Sequence, residues 1–140
     1  MATQPLELRT KITQIVHKAK RALVVAKRNY QEGDYDFAIS RAYYATFYMI
    51  TAALLTKQIT PSKHSRAIGE FNRHFVHGGV FAKEFGRLIS DLFRQRQMGD
   101  YSFDVTIDKV DAEEEIKKAE RVIEAILIYL VDNGYLRSDE

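Results

Sequence analysis

Apolar residues recur at helical spacing almost from one end of this chain to the other, and only two prolines, Pro5 and Pro61, interrupt the rhythm. That pattern predicts an all-α fold. In a first helix over about Leu8 to Gln31, the residues Ile12, Ile15, Val16, Ala19, Leu23, Ala26 and Tyr30 form one stripe, with Lys11, Lys18 and Arg28 off it. Gly33 and Asp34 punctuate the chain next. Glycine accepts the left-handed backbone that ends a helix, and aspartate is able to cap the one that follows. The second helix, about Tyr35 to Lys57, contains DFAISRAYYATFYMITAALL. It is apolar on more than one side, which marks it as the central helix of a bundle.

Pro61 breaks the pattern, and Ser62 is the expected N-cap of a shorter helix over Lys63 to Val76, ended by HGG at His77 to Gly79. A fourth helix is expected over Val80 to Gln97 on a stripe of Phe81, Phe85, Leu88, Ile89 and Leu92, with Gly99 as its stop signal. Ser102 to Asp108 reads as a loop. Asp111 and Glu114 resemble a capping box for a last helix running to Asp132 and burying Ile116, Ala119, Ile123, Ile126, Leu127 and Leu130; Gly134 closes it. The expectation is an antiparallel four- to five-helix up-and-down bundle, a single domain over residues 1–140 with its core over about 8–132.

The 21 Lys and Arg nearly balance the 19 Asp and Glu, so the net charge of +2 gives no broad attraction for polyanions, and any phosphate site must be local. Cysteine is absent, which removes disulfides, a thiolate nucleophile and a cysteine zinc site, and makes a reducing compartment the natural default. The start, MATQPLELRTKITQ, lacks the apolar core of a signal peptide, and no apolar run approaches the roughly 20 residues of a membrane span. A soluble cytoplasmic protein with no membrane association is expected. His17, His64, His74 and His77 lack HExxH or Glu-x-x-His spacing, and only His74 and His77 share a face, at a helix end where histidines serve as polar caps. No metal and no cofactor is expected. Neither GxxxxGK[ST] nor GxGxxG occurs, and there is no nucleophile elbow.

Two stretches carry the polar chemistry. SRAYYATFYM sets Arg41 among Tyr43, Tyr44, Phe47 and Tyr48. Either these are core tyrosines with rim hydroxyls beside a snorkelling arginine, or Arg41 and a tyrosine hydroxyl face a groove shared with FRQRQMGDY; periodicity does not choose. In FRQRQMGDY, Arg94 and Arg96 also suit a helix C-terminus, but Asp100 and Tyr101 follow directly. Guanidinium forks bind phosphate, and a tyrosine stacks on or donates to a base or sugar. Arg94, Arg96, Tyr101 and Arg41 are therefore the candidate phosphate-binding residues.

Taken in order, SRAYYATFYMITAALL (Ser40 to Leu55), KHSRAIGEFNRHFVHGGVFAKEFGRLISDLF (Lys63 to Phe93) and RQRQMGDYSF (Arg94 to Phe103) resemble the HEPN family, small helical bundles of prokaryotic toxin–antitoxin and minimal nucleotidyltransferase systems. The resemblance covers about Gly33 to Tyr129. It implies a HEPN-like bundle that forms a homodimer, binds RNA or a nucleotide, and works with a nucleotidyltransferase or antitoxin partner. Nuclease members of that family carry an arginine followed a few residues later by a histidine, and cleave RNA without metal by attack of the 2′-hydroxyl on the adjacent phosphate. Aligning Arg94 with that arginine and Tyr101 with the tyrosine that often follows puts Gly99 where the histidine belongs. The chain instead resembles a branch ending in Arg-x-x-small-Asp-Tyr, so motif-based nuclease activity is not expected. The alternatives are a metal-independent ribonuclease toxin with a variant site, drawing a base from Asp100, Tyr101 or His64 beside Arg94, or a bundle that only binds protein. An exposed carboxylate beside two arginines is a weak proton acceptor, which disfavours Asp100.

Overall fold

Residues 4–60, 63–104 and 106–139 are described by the structure, a computed structural model. Five α-helices follow in order: α1 (Leu6–Gln31), α2 (Tyr35–Leu55), α3 (His64–Phe71), α4 (Glu84–Tyr101) and α5 (Lys109–Asp132). The all-α bundle is as expected, with α2 at its centre, packed against all four other helices. Alanines make that position possible. Ala38, Ala42, Ala45, Ala52 and Ala53 of α2 are fully buried, as are Ala19 and Ala26 of α1, so the two backbones approach closely over a seam that also holds Ile12 and Val16.

Gly33 adopts φ +84°, ending α1 as expected. Asp34 occupies the N-cap of α2, but its side chain makes no capping bond. The expected cap at Pro61 and Ser62 lies outside the described residues; α3 begins at His64 and continues into a π-helical turn, Asn72–Val76, closed by the His77 amide donating to the Asn72 carbonyl at 2.7 Å.

Three boundaries differ from the sequence expectation. Val80 to Lys83 are not helical and α4 starts at Glu84, because Phe81 turns inward to stack on Phe71 at 5.6 Å and meet Tyr129 edge-on at 5.8 Å. Gly99 does not stop α4, which runs on to Tyr101. Its backbone is not left-handed; its value is the missing side chain, since a Cβ there would lie 3.1 Å from the Ile107 Cδ1 and 3.6 Å from the Asp36 carbonyl oxygen. The capping box of α5 sits earlier than expected: the Asp111 amide donates to Asp108 Oδ1 at 2.9 Å, and the Asp108 amide to Asp111 Oδ2 at 3.3 Å. Leu127 is half-buried rather than core.

On α5 the structure buries a carboxylate that periodicity did not flag. Glu115 is 3 % exposed and accepts from Lys118 at 2.8 Å, and Lys118 also lies 3.5 Å from Asp91 on α4. Burial pushes the Glu115 carboxyl above its usual range, against the pull of Lys118. A raised folded value means that the stability contributed by this group is full at acid pH and is lost as pH rises through that value. Glu115→Gln removes the titration. The variant's melting temperature minus that of the parent should therefore be larger at pH 7.5 than at pH 5, a difference that isolates Glu115 because every other titrating group is shared. An equal difference at both pH values would contradict the assignment.

Candidate phosphate-binding site

Positions two apart on a helix point about 200° apart, so Arg94 and Arg96 cannot share a face. Arg94 is 64 % exposed and donates to Asp91 at 2.9 Å. Arg96 turns the other way and is only 7 % exposed. Its Cζ lies 5.1 Å from the ring of Tyr43, 5.3 Å from Tyr44, 5.9 Å from Phe93 and 5.9 Å from Tyr101. These are cation–π distances near the outer limit of about 6 Å. Its polar satisfaction is poor: Nη2 donates to the Tyr44 hydroxyl at 3.3 Å, Asp100 Oδ2 stands 3.7 Å from Nε, and Nε is buried without a hydrogen-bond partner. A nearly buried guanidinium with one long ion pair and otherwise aromatic faces around it is under-bonded for its burial.

His64 reaches the same cluster from the first residue of α3. Its ring lies parallel to Phe47 at 3.9 Å, meets Tyr44 edge-on at 5.6 Å, and its Nδ1 is 2.9 Å from the Tyr43 hydroxyl. Burial, and then the positive charge of Arg96, hold the imidazole below its usual range, so it is neutral at pH 7. Tyr43 is pushed far above the ordinary phenol range, chiefly by burial and despite Arg96, so its hydroxyl keeps its proton. A neutral imidazole has one donor and one acceptor nitrogen, and a hydroxyl rotates to suit either. The pair therefore accommodates both protonation states of His64 without rearranging.

Arg41 completes the arrangement, with its Cζ 4.8 Å from the ring of Tyr44. The same tyrosine thus carries Arg41 and Arg96. Of the residues singled out from sequence, Arg41, His64 and Arg96 come together around Tyr43 and Tyr44, and Asp100 and Tyr101 join them through Arg96, while Arg94 does not. On α2 the two readings divide between neighbours: Tyr43 belongs to the core and directs its hydroxyl to His64, and Tyr44 directs its hydroxyl to Arg96 on α4 while Arg41 lies over its ring. Phe47 and Phe93, which hold the His64 and Arg96 groups, were legible only as apolar positions. Among the described residues no group of three or more His, Asp and Glu converges as metal ligands; His74 pairs with Glu70 at 3.2 Å along its own helix. Among the described residues no helix is long and apolar enough to cross a membrane.

The model of the HEPN domain family matches residues 12–129. A protein of Methanocaldococcus jannaschii named "Putative toxin MJ0142" is 32 % identical over 141 aligned residues, covering 99 % of this chain and 96 % of its own. A "UPF0332 protein" of Thermotoga maritima is 37 % identical over 109 residues, 78 % of this chain and 83 % of its own. A second M. jannaschii protein, "Putative toxin MJ0605", is 33 % identical over 120 residues, 86 % and 89 % of the two chains.

Proposed function

This chain belongs to the HEPN domain family, and from that premise we propose that it is a toxin-like RNA-binding bundle whose phosphate site is built on Arg96, with Arg41, Tyr44, His64 and Tyr101 around it. The observation that carries this reading is the buried and incompletely bonded Arg96 guanidinium. A phosphate oxygen supplies the close, hydrogen-bonded anion that Asp100, at 3.7 Å, does not. The protein works in the cytoplasm as a single-domain homodimer, with a nucleotidyltransferase or antitoxin as partner. Phe37, Tyr101 and Phe103 support the dimer: they are exposed where the last turn of α4 meets the first turn of α2, beside the site, and a second copy would cover them.

A second reading, cleavage of the bound RNA, is favoured by one observation: His64 is neutral at pH 7 and lies beside Arg96. With Nδ1–H donating to the Tyr43 oxygen, Nε2 takes the proton of a 2′-hydroxyl. The 2′-oxygen bonds to the adjacent phosphorus, the bond to the 5′-oxygen breaks, and the proton passes to that leaving oxygen, giving a cyclic phosphate and a 5′-hydroxyl. Arg96 stabilises the charge on the phosphate.

Both readings are tested by incubating the purified protein with labelled RNA in EDTA and following binding and fragmentation together. Binding without fragments supports the first reading alone. Fragments with cyclic phosphate ends, lost in His64→Gln, support the second, and the acid limb of that activity should then fall below the ordinary imidazole range, as burial and Arg96 require. Fragments that persist in the variant remove His64 from the chemistry. Neither binding nor fragments would overturn both.

A further inference from the structure

Next to Arg96, the groove between α1 and α2 is lined by Lys18, Arg21, Ala22, Val25, Arg41 and Tyr48. Three of these are cations and none is an acid. Among the described residues no carboxylate is bonded or ion-paired to Lys18, Arg21 or Arg41. Like charges three apart on one helix face, as Lys18 and Arg21 are, work against helix stability.

The cations alternate with aromatic faces. Lys18 Nζ lies 5.1 Å from the ring of Tyr48, the Tyr48 and Tyr44 rings are 6.3 Å apart, and Tyr44 carries Arg41 at 4.8 Å and Arg96 at 5.3 Å. Steps of this size lead without a break from the Arg96 site to the α1 surface. Cations that follow a backbone and rings that take bases are the two elements of single-strand recognition.

We propose that this groove is a track for single-stranded RNA. Lys18, Arg21 and Arg41 hold phosphates that flank the one at Arg96, and Tyr48 offers a stacking face. The proposal rests on the reading of Arg96 as a phosphate site and extends it by the chemistry of the neighbouring groove.

The test is fluorescence anisotropy of a dinucleotide and of an RNA of about twelve nucleotides, with the parent protein and with Lys18→Gln, Arg21→Gln, between roughly 50 and 200 mM salt. Both substitutions fall at exposed positions of α1, and a melting curve for each protein confirms folding. The parent should bind the longer RNA more tightly than the dinucleotide. The variant should lose on the order of tenfold on the longer RNA, with a salt slope shallower by about 1.4, because each lost contact on a single strand removes about 0.7. Its dinucleotide affinity should stay within about twofold. Unchanged affinity for the longer RNA, or an equal loss on both lengths, overturns the track and leaves the Arg96 site standing. No binding of either RNA by the parent overturns the track and the Arg96 reading together.

Discussion

Arg96→Met should stabilise the protein and, with Arg96 as the proposed phosphate site, sharply weaken RNA binding at the same time. The side chain is 7 % exposed, its Nε lacks a hydrogen bond, and its nearest carboxylate oxygen is 3.7 Å away. Removing a charge from water costs several kcal/mol per ion. Against this stand four aromatic rings at 5.1–5.9 Å, each worth about 0.5–1 kcal/mol and up to about 2 when desolvated. Methionine keeps most of the volume and makes its own favourable contacts with those rings. These terms nearly cancel, and replacing a buried, imperfectly bonded ion by a well-packed apolar side chain is stabilising by about 1–4 kcal/mol; the lower part of that range is read as a rise of about 3–8 °C in melting temperature. RNA affinity should fall by about thirtyfold or more, the cost of losing one partner of a desolvated charge pair. Arg94→Ala is the companion: its guanidinium is exposed and bonded only to Asp91, so both readouts should stay close to those of the parent. A variant that melts several degrees lower would make Arg96 a structural residue. Unchanged affinity would remove it from the site.

Opposed effects of this kind are the signature of a site that trades stability for binding, and they bear on what the sequence could reveal. The helices were legible because their stripes depend only on the period of the backbone, and α2 announced its central place by being apolar on more than one side. The boundaries that moved did so for tertiary reasons. Phe81 lies in a non-helical segment because Phe71 and Tyr129 offer it an aromatic pocket, and Glu115 is tolerated inside because Lys118 reaches it from one turn away. In the site, Arg96 and Arg41 could be read as arginines near tyrosines. That Arg96, not Arg94, faces inward follows from the helix rotation together with Leu92 and Ile89 marking the buried side, a signal the arginine pair itself obscured. His64 was the least legible. Its place beside Arg96 depends on how α3 returns across α2, a path that no local pattern encodes.

Gly99→His, which would restore a histidine where the resemblance to nuclease members leaves a gap, should destabilise the fold and create no cleavage. Helix propensity alone argues the other way, since replacing a helical glycine is worth up to about 1 kcal/mol. Space decides. A Cβ at this position meets the Ile107 Cδ1 at 3.1 Å, and behind it lie the Asp36 carbonyl oxygen at 3.6 Å and the Asp36 Cβ at 3.7 Å. Ile107 is a flexible side-chain end and can give way, so Gly99→Ala should be close to neutral. The first turn of α2 is backbone and cannot, so an imidazole must displace α4 from α2, an overpacking cost of about 1–3 kcal/mol. The direction of the Cα–Cβ bond matters as much as the room: it points at Ile107 and Asp36, whereas the imidazole that neighbours Arg96 arrives from α3. Melting temperature and RNA cleavage, compared across the parent, Gly99→Ala and Gly99→His, separate the two accounts. A histidine variant that melts like the alanine variant and cuts RNA would mean that the motif works from α4 and that His64 is a bystander; a variant that melts lower and leaves the RNA whole shows that α4 offers no working place for that imidazole.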